Sequence, residues 1–205
     1  PDRFKDSRII VAPLVNPDGF FSPRTKRTNA NNVDLNRNLP TLDWHNKFNG
    51  NDKQINARKS PGKFPNSEQG TKFQLSLINQ FKPNKIISIH APLALLDLDF
   101  ETDDFKINMS EKKYASLTGD DLAKILLKAV KNYKVRKFST YPGSLGNYAG
   151  KELKIPTFTI ELSSSNPKLA NNFWKQFRAG LFTILNVKLN EKTLVAGENN
   201  VSETN

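Results

Sequence analysis

The chain of 205 residues contains no cysteine, only two histidines, and no apolar run near the roughly 18 residues that a membrane-crossing helix needs. Each shortage excludes something. Without cysteine there is no disulfide framework and no thiolate metal site, so any metal centre must draw on His, Asp and Glu. Cytoplasm and periplasm both accept a cysteine-free protein. The opening residues Pro1-Asp2-Arg3-Phe4-Lys5-Asp6 have no Met and no apolar signal-peptide core. They are read as a processed or truncated start.

Apolar residues make up 37% of the chain and charged residues 25%, a globular balance that rules out a disordered polyelectrolyte. The length suits one domain, placed at residues 1–190, followed by an Asn-, Glu-, Ser- and Thr-rich tail at 191–205. The formal net charge is +11. Its lysines are spread without a block of five, so the charge reads first as a solvated surface and second as attraction to an acidic polymer. The aromatics fall on apolar helix faces instead of alternating with basic residues, which argues against a specific nucleic-acid surface.

Periodicity outlines the fold. Arg8–Leu14 is a β-branched run expected to form a buried strand ending in a tight turn at Asn16-Pro17-Asp18-Gly19. Ser67 is expected to cap a helix with Phe73, Leu77 and Phe81 on its apolar face, ended by Pro83. Lys85–His90 and Thr157–Leu162 read as strands, and Leu93–Phe100 as an edge strand or hairpin. A helix is expected from Thr118 to about Tyr133, and another from Pro167 through Leu169, Phe173, Phe177, Leu181 and Ile184. Tyr141–Gly150 reads as a Gly-rich loop. Strands alternating with helices give an α/β domain, with a mixed, mostly parallel central sheet and helices on both faces. Ligands of such sheets sit beyond the carboxyl ends of the strands, where His90 and Glu161 fall.

Taken singly these residues are weak signals. A lone strand-end His is more often structural than metal-bound. Glu161 is less ordinary, since a carboxylate in an apolar strand costs several kcal/mol unless it is paired or lies beside a metal. The order of the pieces is the stronger signal: Asn16-Pro17-Asp18-Gly19, Arg27-Thr28-Asn29, Val33-Asp34-Leu35-Asn36-Arg37-Asn38, Ser88-Ile89-His90, Thr159-Ile160-Glu161-Leu162. This series resembles the zinc carboxypeptidase (carboxypeptidase A-like) family across about Ile9 to Leu189. Pro92-Leu93 and Pro142-Gly143-Ser144 resemble its murein peptide amidase branch, which cuts the γ-D-glutamyl–diaminopimelate bond of cell-wall peptides.

The resemblance implies a Zn2+ cofactor with His90 as one ligand, Glu161 as general base, Arg27 as the oxyanion arginine, and Asn36 with Arg37 as the clamp for a terminal carboxylate. Tyr141 is the nearest match to a substrate-capping tyrosine, and the residue choosing the side chain is expected among Leu145, Gly146 and Asn147. It implies a peptide partner with a free carboxylate, a murein stem peptide; the absence of cysteine and the basic surface tilt the location toward the cell envelope over the cytoplasm. One departure stands out. The family takes two further zinc ligands from a His-x-x-Glu motif ahead of Asn-Pro-Asp-Gly, and Pro1–Val15 has no histidine. His45 cannot rebuild the motif, because Phe48 stands where the Glu is needed. The expectation is therefore an N-terminally truncated enzyme, inactive as this chain alone. The alternative is a non-catalytic module that binds cell-wall peptides without zinc.

Overall fold

In the computed structural model, residues 7–45, 60–99, 106–107, 119–128, 130, 132–186 and 189–190 are described. The tail from Glu191 and the Thr118 cap lie outside them. The Arg8–Leu14 run forms no strand. It is irregular chain with Val11 75% exposed and a bend at Pro13, and among the described residues no strand lies against it to take its hydrogen bonds. The tight turn is instead a one-turn helix, α1 (Pro17–Phe20), capped by Asn16, whose side chain accepts a hydrogen bond from the Gly19 N–H. Asp34 caps the short 3-10 turn Leu35–Arg37 in the same way, accepting from the Asn36 N–H.

Helix α2 runs from Gln69 to Phe81, with its cap one residue later than expected. Its N-cap is Glu68, while Ser67 donates its hydroxyl to Glu68 Oε1 at 2.6 Å. Its buried side chains are Thr71, Leu75 and Ile78, and Phe73 is 43% exposed, so the Phe73–Leu77–Phe81 stripe is not the inner one. Two apolar stripes compete on this helix. The one that wins lies next to Gly70, whose missing side chain lets the helix settle on Leu35. The helix ends at Lys82 in the left-handed conformation (φ 44°), just before Pro83.

The chain then gives β1 (Ile86–His90), β2 (Leu95–Leu98), β3 (Lys106–Ile107), helix α3 (Gly119–Leu127), β4 (Lys134–Arg136), a π-helical segment Gly146–Glu152, β5 (Thr157–Glu161), a 3-10 turn at Pro167–Leu169, helix α4 (Ala170–Asn186) and β6 (Leu189–Asn190). The main sheet has the order β1-β5-β2-β4. β1 and β5 are parallel, as are β2 and β4, while β2 and β5 run antiparallel. The sheet is thus mixed and mostly parallel, as the alternation of elements implied. β2 is internal, not an edge, because the unforeseen β4 pairs with it. β3 and β6 form a separate antiparallel pair.

Alternation along the strands sorts the two faces. Leu96, Leu98, Phe158 and Ile160 join Leu122, Leu126, Phe177 and Ile184 of α3 and α4 in one core, each 3% exposed or less. Burying such side chains stabilises the fold by roughly 1.5–3 kcal/mol apiece. The opposite face carries Asp97, Thr159 and Glu161 and is roofed by Gly146–Glu152. Gly146 meets the Asp99 carboxylate and Gly150 its backbone, so a side chain at either glycine would collide with the strand below. Expected as loop, Tyr141–Gly150 is therefore partly helical, drawn onto the sheet by its glycines.

Candidate active site

His90 and Glu161 end adjacent parallel strands and stand directly opposite each other in register. Residues opposed in this way share one face of the sheet. The pair lies at the carboxyl edge, on the polar side roofed by Gly146–Glu152. Glu161 accepts a hydrogen bond from the Leu93 N–H, while its Oε2 is buried without a partner. Burial pushes its pKa up, nearby Asp97 adds to this, and Arg27 and Leu93 oppose it. Burial also pushes the His90 pKa down, Arg27 and Arg37 act in the same direction, and Asp34 opposes. The imidazole is therefore neutral at pH 7, the form that can accept a hydrogen bond or bind a metal. Arg27, Asp34 and Arg37 are thus within electrostatic reach of His90, and Arg27 of Glu161.

Asp34 organises the arginines. Its Oδ2 takes the Arg27 Nε–H at 2.6 Å, and its Oδ1 takes the Asn36 N–H at 3.1 Å. Asp34 is buried and Arg27 is 36% exposed, so the ion pair fixes the Nε side of the guanidinium and leaves its other N–H groups partly open. Arg37 lies 4.5 Å from the ring centre of Tyr141 and donates from Nη1 to the Asn36 carbonyl at 2.6 Å. Burial holds its pKa below the usual arginine value, Asp34 opposing. A guanidinium remains charged all the same, and this one has no carboxylate partner among the described residues.

The segment carrying Asn36 and Arg37 is stitched to the Gly-rich segment. Asn36 Oδ1 accepts from the Leu145 N–H at 2.8 Å, the Gly143 carbonyl from the Leu39 N–H at 3.0 Å, and Thr41 Oγ1 from the Gly143 N–H at 2.8 Å. Trp44 Nε1 donates to the Arg37 carbonyl at 3.0 Å. Gly143, at φ 72°, lies so close to that carbonyl that no side chain fits. Asn147 spends its Nδ2 on both oxygens of Asp43, which makes it part of this scaffold. Glu68 is likewise structural: its Oε2 receives the side-chain amides of Asn29 and Asn31. His45 is exposed.

Of the six residues singled out by the sequence, His90 and Glu161 stand opposite each other, Asn36, Arg37 and Tyr141 form a second group, and Arg27 is tied to that group's segment through Asp34. The structure adds Asp34, Thr41, Trp44 and Gly143, which hold them and which the motif pattern did not separate from ordinary loop residues. A metal is a different matter. Among the described residues no three His, Cys, Asp or Glu side chains are grouped to hold one. His90 offers one imidazole and Glu161 one unsatisfied oxygen, so the zinc implied by the resemblance does not fit these residues alone.

The family model for zinc carboxypeptidases matches residues 2–177. Murein peptide amidase A of Escherichia coli K12 is 35% identical over 95 residues, which are 44% of this chain and 38% of that protein. The crystal structure of murein-tripeptide amidase MpaA from Escherichia coli O157 superposes with a TM-score of 0.55 at 25% identity, over 84% of this chain and 64% of that one. Carboxypeptidase A from Helicoverpa armigera shares the fold, with a TM-score of 0.51 at 18% identity over 86% of this chain and 48% of its own. The chain spans less than two thirds of the length of these relatives. It belongs to the zinc carboxypeptidase family.

Proposed function

We propose that this member of the zinc carboxypeptidase family is the substrate-holding and proton-transferring part of a zinc-dependent hydrolase of cell-wall peptides. Its target is an amide bond next to a free carboxylate, with the γ-D-glutamyl–diaminopimelate bond of murein stem peptides as the preferred case. The observation that carries this reading is the Arg37 guanidinium, half-buried, held by the Asn36 carbonyl and the Tyr141 ring and without an anionic partner among the described residues. Such a group is built to receive a carboxylate from outside. The names of the murein amidases to which the chain is similar support the substrate.

Each residue then has a task. Arg37 takes the terminal carboxylate in bidentate fashion, with Asn36 beside it and Tyr141 covering it, and so fixes which amide lies over His90 and Glu161. Arg27 presents its outer N–H groups to the scissile carbonyl, where one well-placed donor contributes about 3–4 kcal/mol to the transition state. Glu161, with its raised pKa and unsatisfied Oε2, accepts a proton from the attacking water and hands it to the leaving amine. His90 is one zinc ligand in this proposal, and the others lie outside the described residues. The basic surface suits an acidic wall polymer, which favours the cell envelope. The incomplete metal centre gives the binding-module alternative its one support.

The test is calorimetric titration of this chain with an L-alanyl-γ-D-glutamyl-diaminopimelate tripeptide. Losing charge-assisted hydrogen bonds worth roughly 1.5–3 kcal/mol should weaken binding by about 10–100-fold in Arg37→Ala. Amidating the tripeptide's terminal carboxylate should weaken binding to the unchanged chain to the same degree. Equal affinity of both proteins for both ligands would overturn the assignment.

A further inference from the structure

Register sets Thr159 of β5 beside Asp97 of β2, and Asp97 beside Arg136 of β4, while Glu161 stands opposite Leu95, one pleat further along β5. Opposed residues share a face, so Arg136, Asp97, Thr159 and Glu161 lie together on the polar face of the sheet. Asp97 and Glu161 are diagonal neighbours, roughly 7–8 Å apart between Cα atoms, and the Asp97 charge helps to raise the Glu161 pKa. A second carboxylate on β2's polar side is already used. Asp99 takes the Thr159 hydroxyl at 2.8 Å, and Gly146 and Gly150 close over it. Asp97 takes the Phe138 N–H at 3.0 Å and the Leu98 N–H, which fix its carboxylate. It keeps capacity for a further donor, because a carboxylate has about four acceptor sites. Opposite charges facing each other across two strands ordinarily attract. Yet among the described residues neither Asp97 nor the exposed Arg136 makes an ion pair. Burial pushes the Asp97 pKa up, and the two N–H groups oppose this without help from a cation of the described residues.

We propose that Asp97 and Arg136 select the substrate's side chain by its zwitterionic end, Asp97 receiving an ammonium and Arg136 a carboxylate borne on the same carbon. Diaminopimelate has such an end, whereas lysine lacks the carboxylate. The assignment rests on the reading given above, in which Arg37 holds the terminal carboxylate and the scissile amide lies over His90 and Glu161. A side chain running from there past Thr159 reaches Asp97 after about the length of a short methylene chain. Two opposite charges held side by side and unpaired match a ligand that carries the same two charges side by side, each meeting its opposite. The residues expected from the sequence to choose the side chain supply no charge. Asn147 is spent on Asp43, Gly146 packs on Asp99, and Leu145 is apolar. Charge recognition then falls to the sheet beneath them.

The test is calorimetric titration of this chain with L-alanyl-γ-D-glutamyl tripeptides ending in diaminopimelate, lysine, 2-aminopimelate or norleucine. Lysine keeps the ammonium alone, 2-aminopimelate the carboxylate alone, and norleucine neither. The unchanged chain should bind the diaminopimelate peptide about 10–100-fold more tightly than the lysine or the 2-aminopimelate peptide. Asp97→Asn should weaken the diaminopimelate and lysine peptides by about that factor and leave the other two unchanged. Arg136→Ala should weaken the diaminopimelate and 2-aminopimelate peptides and spare the other two. The peptide series on the unchanged chain keeps the test decisive even where a variant fails to fold. Equal affinity of the unchanged chain for all the peptides would overturn the assignment, as would an Asp97→Asn variant that loses norleucine and diaminopimelate alike. Arg37→Ala separates this from the carboxylate clamp, since it should weaken every peptide equally. A loss in Arg37→Ala with no side-chain preference leaves the clamp standing and removes this assignment. A side-chain preference with no effect of Arg37→Ala does the reverse, and no binding of any peptide overturns both.

Discussion

Gly143 is where the structure makes its most exacting demand, and Gly143→Ala tests it. Two costs add. At φ 72° the backbone is left-handed, which costs a residue with a Cβ roughly 1–2 kcal/mol. The new methyl group would also overlap the Arg37 carbonyl and lie 2.9 Å from Trp44 Cδ1. Arg37 must then shift, loosening the 3.0 Å bond from Trp44 Nε1, and a half-buried donor left unpaired costs about 1–3 kcal/mol. The sum is about 2–5 kcal/mol, or a fall in melting temperature of roughly 5–15 °C for a domain of this size. Calorimetric or denaturant unfolding would read it. Gly143→Asn separates the terms, since Asn tolerates the left-handed conformation but still carries a Cβ. It should recover only about 1 kcal/mol of the loss. Full recovery by Asn, or an Ala variant as stable as the parent, would refute the close packing of Gly143 on Arg37.

Two further predictions concern buried carboxylates. Burial pushes the Asp99 pKa up to about 6 from 3.8, nearby Asp97 adds to this, and the Thr159 hydroxyl opposes it. The native state then holds its proton more tightly than the unfolded chain, so this stability is complete below pH 3.8 and is lost as pH rises through about 6. Asp99→Asn should escape that loss, so its advantage over the parent should grow by about 1–3 kcal/mol across this interval; a gap constant with pH in urea titrations would refute it. Glu68 is desolvated, which alone would raise its pKa, but hydrogen bonds from Ser67, Asn31 and Asn29 outweigh this and leave it lowered from 4.5. Its stabilisation is present above that value and fades as pH falls through the lowered pKa. Glu68→Ala should cost roughly 2–4 kcal/mol at pH 7, by stranding two amides and a hydroxyl, and less in acid; equal cost at both pH values would show that the carboxylate is not charged there.

The readable parts of this fold are those whose signal is local. The runs at 85–90 and 157–162 are apolar and bounded by turn residues, and both appear as strands within a residue of their expected ends. The spacing of Phe173, Phe177 and Ile184 likewise marked the inner face of α4. What failed depended on neighbours. Arg8–Leu14 has strand composition but no described strand beside it, and a strand without a partner is not a strand. Helix α2 had two apolar stripes, and only the position of Leu35 decided between them. Tyr141–Gly150 looked like loop because its glycines suggest freedom, while here they serve close approach to Asp99 and Arg37. The candidate site residues stand out in the sequence because their order along the chain is distinctive. Their supports do not, since Thr41, Trp44 and Gly143 meet across about a hundred residues of sequence.

Asp34 shows why that order carries so much. It caps the turn that presents Asn36 and Arg37, and with its other oxygen it anchors Arg27. One buried carboxylate thus ties the residue proposed to face the reacting carbonyl to the pair proposed to hold the far end of the substrate. Its charge also opposes the effect of both arginines on His90. Without it, two cations would stand around an imidazole with only Glu161 to balance them, and Glu161 would be drawn toward pairing with Arg27. Asp34 takes the Arg27 Nε–H, Glu161 Oε2 is unpartnered, and burial keeps the Glu161 pKa raised against the pull of Arg27. In the proposed mechanism the short stretch from Asp34 to Arg37 therefore bears on both ends of the reaction, presenting the pair that would grip the substrate and anchoring the arginine that lowers the Glu161 pKa.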